Sequence, residues 1–534
     1  LSLTEEQMPI IPILLSGGKF PSYLSTPDPQ QQPIQQPEEE EEKQEKSFVD
    51  IPQIAAEICD KFSLNEDQRA ALFKVAEFFN DENEPMLLVH GLFGAGKSKL
   101  LSVIAIFLDT VLSLLGRSDK ILVAASTNVA VDNVLSNLHE FEHLNFTRVG
   151  SVKKIRRSLL PYVTGHGTEE SISELSSIMH ETMSPGSKRR GRRRRKNRNK
   201  EEEDEEENEE LLEIGSKRLS VEAEKRIVQE ALRNAENEMK KKVSKIDTCR
   251  IVGVTCAACS FAVMTGRVFP FVLLDECSQQ TEPISLIPMS FGCRNLICCG
   301  DPKQLPPTLC KEASDGYGRP LFTRMMTMIH PIMLSIQYRC HPRIADICSY
   351  AFYGGKVKNG ITEEDRSPLF QMPTLCVFNV ICGEESMKGG SIYNTAEAIT
   401  VVNLVKYLID IGITPDEIGV IAFYKAQVEQ ISIPLSEGRR NPIVDVSTVD
   451  AFQGDEREVI IISTAKTKQS SFVDSPNRIN VAISRAKRHL FFVTRVSSLM
   501  KLEKWNFVIN RAGNKPNVSI NLSNPPRNNW LPFG

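Results

Sequence analysis

Residues 86–98 read MLLVHGLFGAGKS, and the reading of this stretch decides the fold. Residues 86–90 read as a short apolar strand. Gly91, Gly96, Lys97 and Ser98 then match the phosphate-binding pattern G-x-x-x-x-G-K-S. The chemistry needs this spacing. Glycines, Gly94 among them, let the backbone curl so that several N–H groups point at one phosphate. Lys97 would reach the β- and γ-phosphates, and the Ser98 hydroxyl would ligate Mg2+. Residues 99–115 are apolar enough for a buried helix whose N-terminus faces the phosphates. Strand, glycine-rich turn and helix in this order predict a parallel α/β unit that binds a nucleoside triphosphate.

Composition sets the outer bounds. A chain of 534 residues has the length of about three or four domains, and 41% hydrophobic residues suffice for large cores. The net charge of −4 excludes no class of partner, because it averages segments of opposite sign. Thirteen cysteines lie scattered. Cys256 and Cys259 form one C-x-x-C, but no second pair follows at finger spacing, so buried thiols in a reducing compartment are favoured over zinc. No apolar run approaches about 20 residues, so no membrane partner is expected. No secretory signal peptide is read. The chain begins at Leu1 rather than Met, as a fragment would.

Residues 1–47 are rich in Pro, Gln and Glu and predict a disordered segment, since they cannot bury enough apolar surface to fold. Order is expected from Phe48. Gln68 lies shortly before the phosphate loop and has two readings. Its amide can pair with adenine N6 and N7, which would select ATP, or it is a solvated helix residue. Residues 120–135, KILVAASTNVAVDNVL, predict a buried strand and then a helix. Ser126, Thr127 and Asn128 stand at the strand's carboxyl end, where open α/β sheets bind ligands. A further short strand is expected near 146–150. Residues 151–247 interrupt the alternation. Within them KRRGRRRRKNRNK is followed at once by EEEDEEENEE. The basic half reads as a phosphate contact or nuclear import signal, or the whole as a solvated, self-neutralising loop. Ala223, Ile227, Ala231, Ala235, Met239 and Val243 then recur at four-residue spacing, which predicts one long amphipathic helix.

The alternation resumes at Arg250 with IVGVTCAAC. FVLLDECSQ is a strand ending in adjacent acids, Asp275 and Glu276, and NLICCGDPKQLPP is one ending in Asp301 and Gln304. Acids after a short apolar strand are the expected partners of a phosphate loop. Asp275 would hold Mg2+ through water, and Glu276 would take a proton from the attacking water.

The motifs LNEDQ, GLFGAGKS, ASTNVAVD, DECS, GDPKQLPPT, QYRCHP, VDAFQGDE and RINVAISRAK run in this order between residues 64 and 495. On them the chain resembles superfamily 1 helicases of the up-frameshift-like branch. Within that branch, GLFGAGKS and VGVTCAAC are most similar to the GRF-type zinc-finger-containing DNA helicases, and the likeness covers their helicase part only. The sequence departs from them in having no such finger, in FFVTR where the branch usually has glycine and asparagine, and in the charged insertion. The resemblance implies that Tyr338 stacks on adenine and Arg339 contacts the γ-phosphate. It places Gly454 and Glu456 toward the nucleotide, with Glu456 near the ribose. Ser447 and Thr448 would join Ser126, Thr127 and Asn128 on a nucleic-acid strand. An arginine supplied across a domain cleft can neutralise charge on the transferred phosphoryl group, and Arg485 is assigned that role beside Glu276, Gln304 and Arg339 in the catalytic set.

The expected fold is α/β, with two RecA-like P-loop domains built on parallel sheets. The first covers 48–330 and carries a largely helical charged insertion, 151–247. The second covers 331–500, and 501–534 is a C-terminal tail. ATP with Mg2+ would bind between the domains, and a single strand of nucleic acid, DNA favoured over RNA, would cross both. The expected activity is an ATP-dependent helicase or translocase moving 5′ to 3′ on DNA in repair or recombination, in the nucleus or otherwise the cytoplasm. An RNA helicase of RNA surveillance or transcription termination is the alternative, and no single residue separates the two. A non-motor ATP-binding scaffold is a third class, opposed by intact Lys97, Glu276, Gln304 and Arg485.

Overall fold

In the computed structural model the described residues are 49–80, 85–164, 245–309, 317–436, 443–468, 470–513 and the backbone of 518–520. The N-terminal segment expected to be disordered, the basic and acidic runs and the long helix expected after residue 219 all lie outside them.

The ordered chain opens with two capped helices, α1 (Ile51–Lys61) and α2 (Glu66–Ala76). Asp50 caps the first. Asn65 and Gln68 cap the second reciprocally, each side chain satisfying the other's backbone N–H. Then comes β1 (Met86–Gly91), whose apolar residues are buried, and α3 (Lys97–Leu114), apolar around most of its circumference. β2 (Ile121–Ala125), α4 (Asn128–Glu140), β3 (Phe146–Val149), β4 (Val163–Thr164), β5 (Ile251–Thr255), β6 (Phe271–Asp275), β7 (Asn295–Gly300) and β8 (Ile332–Leu334) complete the first sheet. Its order is β4-β3-β5-β2-β6-β7-β1-β8, and every pairing is parallel. Continuous runs such as ILVAA and FVLLD fit this, because a parallel sheet is covered on both faces and needs no alternation.

After a parallel ribbon of β9 (Ile336–Gln337) with β10 (Lys358–Asn359), which brackets α5 (Pro342–Phe352), the chain builds a second sheet. Its elements are β11 (Leu375–Val380), the hairpin β12 (Ser386–Lys388) and β13 (Ser391–Tyr393), α6 (Thr395–Asp410), β14 (Ile418–Ala422), α7 (Lys425–Ser436), β15 (Asp445–Thr448), β16 (Arg457–Ser463), α8 (Pro476–Ile483), β17 (Ala486–Thr494), α9 (Glu503–Ala512) and β18 (Val518–Ile520). The order is β15-β14-β16-β17-β11-β18, again wholly parallel.

Three expected boundaries differ from the structure. Residues 152–164 are not part of the interruption, since their 3-10 turns lead into β4, which pairs with β3. The first sheet does not end at 330, because β8 pairs with β1 from Val89↔Ile332 onward. Two- and three-residue strands carry too little pattern to be read alone. The expected tail after 500 is part of the second unit. Trp505 is fully buried there, with its ring 5.8 Å from Phe423 and 5.9 Å from Phe492 and its Nε1 donating to the Val473 carbonyl. Trp505, Val508 and Ile509 fall at i, i+3, i+4, a helical signal that was present in the sequence. Trp505→Ala should therefore destabilise the protein by about 3–5 kcal/mol. Urea unfolding should show this as a lower midpoint for the second unit, and an unchanged midpoint would mean α9 is not part of its core.

Candidate nucleotide site between the two sheets

Gly94 and Gly96 adopt φ of +64° and +76°, a left-handed conformation that the loop needs to turn back onto α3. Gly94 has a second reason to lack a side chain. A Cβ there would sit 2.7 Å from Cβ of Arg339, which reaches over from the segment beyond the first sheet. The N-terminus of α3 has no side-chain cap, so its leading N–H groups face the loop's concavity. Lys97 is buried, and its Nζ donates to the carbonyls of Gly91 (2.8 Å) and Leu92 (3.3 Å), folded back along the loop.

Ser98 Oγ donates to Asp275 Oδ2 at 3.1 Å, which joins the loop to the end of β6. Burial, then the adjacent Glu276 charge, raises the Asp275 carboxyl to about 7, against the pull of Lys97. A hydroxyl and a carboxylate held together in a buried place are hard oxygen donors that suit Mg2+, and a cation there would restore the carboxylate. Glu276 stands at φ +52°, ψ +36°, a strained position for a non-glycine residue, and its carboxylate accepts from Gln279. That turn aims it into the cavity rather than along the sheet.

The cavity, about 380 Å³, is lined from the first unit by the phosphate loop, Glu276 and Gln304 and from the second by Arg339, Glu456 and Arg485. Gly454, at φ +96°, lies on the same wall. Six basic side chains face it against four acidic ones, which favours a polyanion. Arg485 is buried, and burial, then the charge of Arg339, lowers its guanidinium to about 10. Its Nε donates to Val481 O at 3.1 Å, while its two terminal nitrogens reach Asp455 O, Gln304 Oε1 and Ser484 Oγ only at 3.4–3.5 Å, so the end that faces the cavity is loosely held. Arg339 donates to Ser484 O at 3.1 Å and pairs with Glu456. Burial would raise the Glu456 carboxyl, but Arg339 and Lys487 outweigh it and hold it at about 2. Two guanidiniums converging on one space repel, and a phosphate group between them relieves this.

Of the two expected readings of Gln68, the structure departs from the solvated one. The residue is 3% exposed. Its Nε2 donates to Ala95 O at 3.1 Å while its Oε1 accepts from Asn65 N, so the amide braces the phosphate loop. Each amide atom spends one of its two hydrogen-bonding positions on this, and adenine pairing would use the second on each. Tyr338 lies beside it, with its hydroxyl accepting from Asn65 Nδ2 at 2.8 Å.

The strand-end residues assigned to nucleic acid divide. Thr127 is exposed and caps α4, and it lines a smaller cavity of about 210 Å³ together with Asp450 and Ala451, just past Thr448. Ser98, Asp275 and Glu276 line the same cavity, so this route adjoins the magnesium end of the nucleotide site. Thr448 Oγ1 accepts from Ala451 N, and Ser447 Oγ donates to Asp445. Ser126 and Asn128 are half-buried. Ser126 Oγ is buried, and the Asn128 amide oxygen accepts from Arg148, which is buried and paired with Asp132. Of the three, only the capping residue Thr127 is fully exposed.

A hub beneath the site was not read from the sequence. Buried Asp301 accepts from Tyr353 Oη (2.7 Å) and Gln304 Nε2 (2.9 Å) and meets His90 Nε2 at 3.3 Å. Tyr353 Oη in turn accepts from Asn480 Nδ2 at 2.7 Å. Asn477 also donates to the carbonyls of Pro302 and Gln304. One face of α8 thus grips the loop that carries Gln304, across the cleft. Asn477 and Asn480 at i, i+3 were the available signal.

Fold and site define a P-loop nucleotide hydrolase architecture, two parallel α/β sheets facing one nucleotide cavity. AAA domain models match residues 63–312 and 317–497. The mouse 5′-3′ DNA helicase ZGRF1 is 38% identical over 491 residues, covering 86% of this chain and 24% of that protein. The regulator of nonsense transcripts 1 homolog of Neurospora crassa is 30% identical over 84% of this chain and 38% of that protein. The Saccharomyces cerevisiae ATP-dependent helicase NAM7 is 30% identical over 84% and 43%. The chain belongs to the superfamily 1 helicases of the up-frameshift-like branch. It spans less than half the length of each of these relatives.

Proposed function

We propose that this chain is the motor of an ATP-dependent nucleic-acid helicase. One observation carries the reading: Arg339 and Arg485 enter a cavity whose other wall is the phosphate loop with Lys97, Ser98 and Glu276. Such a site is complete only when the two units are closed on each other. Lys97 would exchange the Gly91 and Leu92 carbonyls for β- and γ-phosphate oxygens. Ser98 and Asp275 would hold Mg2+, which when bound neutralises phosphate charge. Glu276 would accept the proton of the attacking water, oriented with Gln304. Arg339 and Arg485 would take up the charge growing on the transferred group. Loss of the γ-phosphate removes what holds the arginines against the loop, so the cleft relaxes. Thr127 on one unit and Thr448 on the other then shift relative to one another, and a strand bound along them advances.

DNA is the favoured substrate, supported by the higher identity to the mouse DNA helicase than to the regulators of nonsense transcripts. The same relative supports 5′ to 3′ movement. RNA is the second reading, since yeast NAM7 and the regulators align over nearly the same span. Matched DNA and RNA duplexes with a single 5′ or 3′ tail separate these. Unwinding of the 5′-tailed DNA duplex is expected, with little from the 3′-tailed one. A 3′-tail preference would overturn the direction, and unwinding of RNA alone would overturn the substrate.

A further inference from the structure

We infer that Arg366 is a positioning residue for nucleotide hydrolysis, setting both the base-stacking ring of Tyr338 and the phosphate-facing guanidinium of Arg339. The inference rests on the ATP reading and deepens it. Residues 335–341 carry the chain from the first sheet to α5 and fold over the phosphate loop, with Tyr338 N donating to Gly94 O at 2.9 Å. Backbone bonds hold both ends of the segment, Lys358 N and Gly360 N donating to Ser335 O and Gln337 O and His341 N to Lys487 O. Between them, the carbonyls of Tyr338 and Arg339 are taken by one side chain, Arg366. Its Nε donates to the Arg339 carbonyl at 2.8 Å and its Nη2 to the Tyr338 carbonyl at 3.1 Å.

The geometry of that grip gives it consequences. The Tyr338 carbonyl lies in the same peptide plane as the Arg339 N–H, and Gln337 Oε1 accepts from that N–H at 2.8 Å. Fixing two successive carbonyls therefore fixes the directions of two successive side chains. Tyr338 turns toward Asn65 and α2, and Arg339 turns into the cavity toward Ser484 and Glu456. The loop that supplies Arg366 also backs the ring. A Cβ at Gly360 would overlap the Tyr338 ring, so the ring rests directly against that backbone. Within the loop Thr362 N and Oγ1 both donate to Asp365 Oδ2, closing a tight turn. From Thr362 to Ser367 every residue is exposed except Arg366, which is turned inward. A loop needed only as a connection has no reason to spend its one inward cation on these two carbonyls. A rigid guanidinium suits the task, since its fork donates to two acceptors at once.

Steady-state ATPase kinetics of the full chain test this, with thermal unfolding as the control for folding. Arg366→Ala should raise KM for ATP about tenfold, the scale of one charge-assisted hydrogen bond, and should also lower kcat several-fold. Arg366→Lys, which reaches one carbonyl, should fall between. Gly360→Ala, which displaces the ring alone, should raise KM and leave kcat nearly intact. In a Tyr338→Ala background, Arg366→Ala should add nothing further to KM while still lowering kcat through Arg339. Unchanged KM and kcat in Arg366→Ala would overturn the inference, as would additive KM effects in the double variant. So would losses in all these variants that simply follow a lowered unfolding midpoint. A wild-type chain without ATPase would instead remove the nucleotide-hydrolysis reading beneath it.

Discussion

Glu276→Gln should retain ATP binding and lose turnover by about 10²–10⁴, the usual share of a general base. The amide keeps the size and the Gln279 contact but cannot accept a proton. The left-handed backbone at Glu276 sharpens the expectation. Strain at that position persists because the turn must deliver the carboxylate to the cavity, and an isosteric amide leaves the turn unaltered. Lys97→Ala should also abolish most activity, but through binding as well. It removes the charge on the β- and γ-phosphates and strands the Gly91 and Leu92 carbonyls that Lys97 Nζ now satisfies. Fluorescent-nucleotide titration beside steady-state ATPase separates the two variants. Near-normal turnover in either would sink the assignment.

Arg485→Ala should lower turnover by about 10³–10⁵, the range for a missing arginine finger, with a smaller effect on ATP affinity. The present contacts of Arg485 explain why it should act late. Nε is anchored on Val481 O at 3.1 Å, but the two terminal nitrogens make only contacts of 3.4–3.5 Å, so they gain their best partner only when phosphoryl charge develops. Arg485→Lys should recover little, since an ammonium cannot span the same acceptors. On the proposed cleft mechanism, stimulation of ATPase by single strands should disappear in Arg485→Ala. The outcome to look for is a kcat change without a matching KM change. Equal losses in both would make Arg485 a structural ion rather than a participant, and unchanged stimulation would refute the closing mechanism.

The phosphate site was legible because its parts are local in sequence. The strand before the loop, the Gly96-Lys97-Ser98 turn and the helix after it are contiguous, and the backbone chemistry of the turn demands those residue types. Asp275 and Glu276 were legible for a similar reason: a short apolar strand delivers whatever follows it to the sheet's edge. Where local pattern ran thin, so did the reading. β4 and β8 have two and three residues, too few for any period, and they moved the expected start of the insertion and the expected end of the first unit. Trp505 had helical spacing around it, but its burial depends on Phe423 and Phe492, which only the second sheet brings near.

By itself, then, the sequence determined the chemistry of the nucleotide site and the α/β character of both halves. Those follow from spacing along the chain and from the apolar length of strands. Only the tertiary structure decided how that chemistry is held. Gln68 braces Ala95 instead of standing in solvent, and Asp301, Tyr353 and Asn480 form one hydrogen-bonded hub. Arg366 grips the carbonyls of Tyr338 and Arg339, and the Asn128 amide oxygen accepts from the buried Arg148. Each is a polar group that must find a partner once burial removes water. Which partner it finds is set by the crossing of strands and helices far apart in the chain, and no local pattern records that.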